Sequence, residues 1–253
     1  MATTREAPWQ KAVDTAVRQV SSAYADGDGR LNKVLMKHRK DPTRWSKKTI
    51  DRTMKRVNKE LATMQKRIIL GLEKGAELSV GSTGGPKQDI SSDIARAKAQ
   101  VARMKAQVRE ALVRDAREIV RESKLRKVTK RGAAKQLTNT HVSRGLSTNF
   151  SDKAGKKWKS DTYFKVLADA STRNAALNAF QDKAAADGHQ LVVVAGPAGG
   201  CPKCAPWVGM VLSLTGDTGH PTVDEAMGYG LFHPRCRHHL VPYQPQKEKK
   251  KKE

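Results

Sequence analysis

The sequence predicts a mainly α protein, with long amphipathic helices in the N-terminal half and a small α+β module towards the C-terminal end. Three observations carry this. Apolar residues recur every three or four positions over two long stretches before residue 113, and the clearest strand-like run, Leu191-Val192-Val193-Val194, comes only near the end. Aromatic residues make up 5% of the chain, which leaves a thin core of Ala, Val, Leu and Met. At 253 residues there is length for one fair-sized domain or two small ones.

Taken in order, residues 5–25 predict a short helix with Trp9, Val13, Ala16, Val17 and Val20 on one face. The run Asp26-Gly27-Asp28-Gly29 is expected to stop it. That run lacks the glycine spacing and closing glutamate of a calcium loop, so it reads as a turn. Asp41-Pro42 predicts the next helix start, with aspartate as N-cap and proline at the first position. Ile50, Met54, Val57, Leu61, Met64 and Ile68 then form one apolar stripe, and a flexible break is expected at 81–86. A second long helix begins at Ser91 or Ser92 and continues the period through Ile94, Ala97, Val101, Met104, Val108, Ala111 and Leu112. The two should form an antiparallel pair, closed either within the chain or by self-association with neighbouring subunits.

Residues 123–159 lose the pattern and read as a linker or extended arm with room for short strands. A helix resumes at Ser160 and runs to about Ala186, with Tyr163, Phe164, Leu167, Ala170, Leu177 and Phe180 supplying its buried side. The expected division is a basic helical region at 1–122, the linker at 123–159, the α+β module at 160–243 and a disordered basic tail at 244–253.

Charge narrows the partners. The chain carries 49 Lys and Arg against 25 Asp and Glu, a net +24, and residues 1–150 alone hold +19 of it. Such an excess repels itself unless polyanionic phosphate or an acidic protein partner lies close by. The reading adopted is nucleic acid, contacted through phosphates because no base-reading helix stands out. The candidate contacts begin with Lys47, Lys48, Arg52, Lys55, Arg56, Lys66 and Arg67. They continue with Arg109, Arg114, Arg117, Arg121, Lys124, Arg126, Lys127, Lys130 and Arg131, and end with the cluster Lys156, Lys157 and Lys159 around Trp158. No window approaches the roughly 18 apolar residues of a membrane span, and no secretory leader is recognisable, so a soluble protein made in a reducing cytoplasm is expected.

All three cysteines and three of the seven histidines fall in two short clusters, Cys201-Pro202-Lys203-Cys204 and His233-Pro234-Arg235-Cys236-Arg237-His238-His239. An odd count argues against a disulfide framework, whereas a CxxC turn with a second pair from a distant loop suits a tetrahedral ion. The expected ligands of a structural Zn²⁺ are Cys201, Cys204, Cys236 and His233, with His238 or His239 as the alternative fourth. The intervening segment offers only Trp207, Val208, Met210, Val211 and Leu212 as apolar anchors, so a metal would supply cross-linking that its core lacks. Asp224, Glu225 and the His238-His239 pair evoke a metal nuclease. Three thiolates and one imidazole instead make a closed shell poorly suited to activating water, and no other catalytic motif appears, so no enzyme is expected. A zinc-dependent nucleic-acid-binding protein is the alternative class.

The stretch Cys201-Pro202-Lys203-Cys204-Ala205-Pro206-Trp207-Val208-Gly209, followed by Gly230-Leu231-Phe232-His233-Pro234-Arg235-Cys236-Arg237-His238, closely resembles the signature of the phage minor capsid proteins. These are related to head-morphogenesis proteins of the Mu protein F type. Ser171-Thr172-Arg173-Asn174-Ala175 is similar to that family's helix, although its Arg-Thr pair is replaced here by Asp169-Ala170. The resemblance spans about 160–243. It implies a structural protein of the capsid interior in the virion, near the portal, with the portal or major capsid protein and packaged double-stranded DNA as partners. It also implies Cys201, Cys204, His233 and Cys236 as metal ligands.

Overall fold

The computed structural model describes residues 7–40, 45–143, 149–152, 154–197, 201–233 and 235–244. The expected mainly α architecture with a small strand-containing C-terminal region is present. In chain order the elements are α1 (Gln10–Lys40), α2 (Lys47–Thr83), α3 (Ser91–Leu125), α4 (Lys130–Ser143), the strands β1 (Phe150–Ser151) and β2 (Lys157–Trp158), and α5 (Ser160–Ala186). There follow β3 (Leu191–Ala195), a 3₁₀ turn at Ala205–Trp207, β4 (Val211–Ser213), α6 (Val223–Gly228) and β5 (His239–Pro242). The chain divides into two units, one formed by Val17–Leu72 with Ser91–Leu167, the other by the segment up to Ala16, Glu73–Ile90 and everything from Ala168.

In the first unit α1 and α2 run antiparallel. Contacts climb one helix as they descend the other: His38 Nδ1 to Thr53 Oγ1 at 2.7 Å, Arg30 to Glu60 at 2.8 Å, and Arg67 to Asp26 at 2.8 Å. Helix α1 does not stop at Asp26-Gly27-Asp28-Gly29, contrary to expectation. Asp26 pairs across to α2, and Asp28 accepts from Asn32 Nδ2 one turn on at 3.0 Å, so both polar side chains are satisfied on a helix surface. Gly27 faces Met64 so closely that an added Cβ would lie 2.5 to 2.9 Å from that side chain. Its missing side chain lets two helix backbones approach, and that contact offsets the roughly 1 kcal/mol that glycine costs inside a helix.

Every residue of the expected α2 stripe, Ile50, Met54, Val57, Leu61, Met64 and Ile68, is buried within the chain, as are Val101, Met104, Val108 and Leu112 of α3. Pairing is therefore intramolecular, and these stripes are not a surface for self-association. Arg109 reaches Asp51 at 3.4 Å between α3 and α2. Arg39 of α1 and Asp115 of α3 form a fully buried ion pair at 3.1 Å. Asp41 and Pro42 lie outside the described residues; α2 begins at Lys47, after Ser46, whose Oγ accepts from Thr49 N at 3.3 Å. Its C-terminal end overruns the expected break. Ser79, Ser82 and Thr83 turn their hydroxyls back onto carbonyls three residues earlier, and the chain leaves the helix at Gly84, with φ at +69°.

The segment read as a linker contains α4, which the sequence reading missed. Ala133 and Ala134 pack on Ile119 of α3, with Trp45, Val128 and Leu137 around them. Beyond it β1 pairs with β2, Phe150 opposite Trp158. Asp152 organises the turn by accepting from Ala154 N, Lys156 N and Trp158 Nε1, and the indole contact in particular holds its carboxyl below the usual range.

The second unit holds the C-terminal chemistry. Helix α5 is followed by an antiparallel sheet of order β4-β3-β5, with Val192 opposite Leu212 and Val194 opposite Leu240. Leu177, Val192, Val194, Leu212, Val223, Ala226, Leu231, Phe232 and Leu240 close around Cys204 and Cys236. Of the five apolar anchors expected between the cysteine clusters, only Leu212 is fully buried, and Met210 is 39% exposed. The anchoring falls instead to α6, whose capping box joins Thr222 to Glu225, and to Leu231 and Phe232. No helix among the described residues is long and apolar enough to cross a membrane.

Gly27→Ala is expected to lower the unfolding free energy by about 1–3 kcal/mol through overpacking, despite alanine's higher helix propensity. Urea unfolding followed by circular dichroism reads this directly, and an unchanged or raised midpoint would show that the helices are not in contact there.

Candidate metal centre

Strand β3 ends at Ala195, and the CxxC turn follows at Cys201. There Cys204 N and Ala205 N both donate to the Cys201 carbonyl, at 3.1 and 2.9 Å, folding the two sulfurs to one side. The second loop is built the same way: Cys236 N donates to the His233 carbonyl at 2.9 Å. Matching three-residue spacings thus yield matching turns.

The turns meet. Cys204 Sγ lies 3.6 Å from Cys236 Sγ, and Cys201 Sγ lies 2.9 Å from His233 Nε2. Cys236 Sγ lies 3.2 Å from His238 Nδ1. The donor atoms form two overlapping triads that share Cys204, one with Cys201 and His233, the other with Cys236 and His238, each within 4.8 Å. All three cysteines are free thiols. A tetrahedral site with metal–sulfur bonds of about 2.3 Å has sulfur–sulfur edges of about 3.8 Å, so the Cys204–Cys236 separation fits a shared divalent ion. His239 belongs to neither triad; it is buried in β5 opposite Ala195, and burial pushes its pKa down.

Electrostatics say what this arrangement asks for. Burial, reinforced by the neighbouring Cys236 sulfur, pushes the Cys204 thiol up to about 12. Cys201, favoured first by the Cys204 backbone N–H, falls to about 7. One sulfur is ready to ionise and the other is blocked by its surroundings. A divalent cation among them reverses that penalty, because thiolates bind it.

A feature not foreseen from sequence holds the second loop. Arg173 of α5 is 1% exposed; its Nη1 donates to the carbonyls of Phe232, at 3.1 Å, and His233. Its Nη2 pairs with Asp169 Oδ1, which also accepts from Arg235 N at 3.2 Å. Phe232 and Arg235 both adopt left-handed backbone, φ +58° and +64°, which side chains disfavour. The Asp169–Arg173 pair, one helical turn apart, therefore pins both strained residues flanking His233. The i, i+4 spacing of opposite charges on a predicted helix was visible; its target, a loop 60 residues on, was not. Asp224 and Glu225 lie outside both triads, and Glu225 is engaged in the α6 cap.

The candidate DNA-contacting residues lie elsewhere, in the helical unit. Lys47, Lys48, Arg52, Lys55, Arg56 and Lys66 on α2 are exposed, as are Arg114, Arg117, Arg121 and Lys124 on α3. So are Lys127, Lys130, Arg131, Lys156, Lys157 and Lys159. Three others answer local acids, Arg67 with Asp26, Arg109 with Asp51 and Arg126 with Glu122, and Arg121 also reaches Glu122.

The helical scaffold thus carries, at its strand-containing end, a Cys/His cluster that could hold a metal ion. A family model for phage minor capsid protein 2 matches residues 29–252, and the chain belongs to that family, whose members are structural components of the virus particle. No curated protein and no solved structure matches the chain.

Arg173→Met is expected to destabilise the protein by about 3 kcal/mol or more, since it removes the charged donor from the Phe232 and His233 carbonyls and leaves Asp169 without its counter-charge. Asp169→Asn, which keeps an acceptor for Arg235 N, should cost less. Denaturant unfolding monitored at Trp207 and the other tryptophans ranks the two, and equal stability of the Met variant with wild type would remove the clamp from the account.

Proposed function

We propose that this protein is an internal component of the phage head, seated near the portal, that lies against packaged duplex DNA through phosphates and is closed at its C-terminal end by a structural zinc ion. The observation that carries the reading is the family match over 29–252. The net charge of +24 favours a polyanionic neighbour. Its display does too: Lys48, Arg52 and Lys55 on α2, and Arg114, Arg117, Arg121 and Lys124 on α3, recur at three- and four-residue steps on exposed helix surface. Such stripes follow a phosphate backbone without reading bases. Zinc is favoured over other divalent ions by the thiolate-rich donor set, with the Cys204–Cys236 separation close to a tetrahedral edge.

The location is tested on purified, DNA-filled heads. Cross-linking followed by mass spectrometry should join this chain to the portal or to the inner surface of the shell. External protease should leave it intact until the head is opened. Cleavage on intact heads would place it outside and end the reading.

DNA contact has its own signature. Unrelated duplexes should bind with similar affinity, and affinity should fall steeply with added salt. Replacing Arg114, Arg117 and Arg121 together by alanine should reduce the slope of log K against log salt by roughly 3. Fluorescence anisotropy across a salt series measures this, and tight binding indifferent to salt would contradict it.

A further inference from the structure

We infer that His238, through Nδ1, is the fourth ligand of the metal, and that His233 stands one step back as a hydrogen-bond donor to the Cys201 sulfur. The inference rests on the zinc reading above and goes beyond the spacing argument, by which the HxxC half-site would put His233 in the shell.

Four observations carry it. Along 236–238 burial alternates, with Cys236 buried, Arg237 exposed and His238 buried, so Cys236 and His238 share the interior side. His238 Nδ1 faces Cys236 Sγ at 3.2 Å and belongs to the triad with Cys204, all three of whose residues are buried. On the far edge of the ring, His238 Nε2 lies 3.1 Å from the Pro197 carbonyl. A carbonyl can only accept, so Nε2 carries the proton and Nδ1 presents its lone pair to the sulfurs. This is the orientation a metal-ligating imidazole takes when its other nitrogen is anchored by a backbone oxygen. Finally, the ring has a fitted seat. Gly196 has φ at +141°, and a Cβ there would come within 2.8 Å of His238 Cδ2 and 3.0 Å of its Cα.

His233 is placed differently. It is only half-buried, and its Nε2 sits 2.9 Å from Cys201 Sγ. A sulfur–nitrogen edge of a tetrahedral zinc site is about 3.5 Å; the Cys236–His238 distance approaches that edge and the Cys201–His233 distance falls well short of it. At 2.9 Å the His233 Nε2 is in direct contact with the Cys201 sulfur. The His233 carbonyl accepts from both Arg173 and Cys236 N.

The test is cobalt substitution of the full-length chain, read by electronic absorption. Wild type should show tetrahedral d–d bands and the charge-transfer intensity of three thiolates. His233→Gln should leave band positions and intensity unchanged. His238→Gln should lose the tetrahedral bands, and His238→Cys should restore them with charge-transfer intensity raised by about one third, as three thiolates become four. Loss of the bands in His233→Gln, or retention in His238→Gln, overturns the assignment while leaving the zinc reading intact. Loss of the bands in His233→Gln is sufficient to overturn the assignment, so misfolding of either His238 variant does not shelter the inference. A wild-type protein that takes up no cobalt or zinc overturns the zinc reading itself, and this inference with it.

Discussion

Cys204 and Cys236 stand 32 residues apart in sequence and 3.6 Å apart in space, with no covalent bond between them. Much of the C-terminal unit is arranged to bring this about. Strand β3 leads into the first turn, β5 leads out of the second, and both sulfurs are buried among Val192, Val194, Leu212, Leu231 and Leu240. Packing thiols this closely in an apolar setting disfavours their ionised form, as the raised pKa of Cys204 records. The arrangement is favourable when a cation replaces the lost solvation. A three-stranded sheet with part of α5, the short α6 and few aromatic residues is a small core, and ligand bonds across its two loops would add the stability that burial alone does not supply.

The ligand loop also needs its backbone held. Left-handed conformations at Phe232 and Arg235 cost of order 1 kcal/mol or more each, yet they aim Cys236 inward within a few residues. The Asp169–Arg173 pair absorbs this cost by binding the loop's own carbonyls and N–H. A buried guanidinium is expensive unless its donors are used; here Nη1 and Nη2 are engaged by backbone and carboxylate. Asp169 supplies the counter-charge to Arg173 and a second anchor for the loop.

The helical unit obeys a different economy. Its stripes of Val, Leu, Ile and Met pair internally, which leaves the remaining helix surface to Lys and Arg. Close approach at Gly27 and the buried Arg39–Asp115 pair fix how α1 meets its neighbours. Among the described residues, the exposed Lys and Arg of α2 and α3 therefore sit on ordered helix surface.

Periodicity alone was enough to place the second and third helices and the fifth, because a sustained 3.6-residue apolar repeat has few other physical solutions. The strand at 191–195 and the pairing of the two Cys/His clusters were legible for similar reasons: β-branched runs and ligand spacing are local properties. What local reading missed depends on partners. The run at 26–29 carries every sign of a turn, and only the presence of Met64 opposite Gly27 makes a helix the better state. Helix α4 has a weak stripe that becomes meaningful only against Ile119. Spacing pointed to His233, whereas the second histidine of the cluster, His238, is distinguished by Gly196 and the Pro197 carbonyl, about 40 residues earlier in the chain. The sequence by itself determined which elements form and which side chains can bind a soft cation. Only the tertiary structure decided how the glycines are used, what Arg173 holds and which imidazole nitrogen faces the sulfurs, because those outcomes are set by contacts between segments that no local pattern encodes.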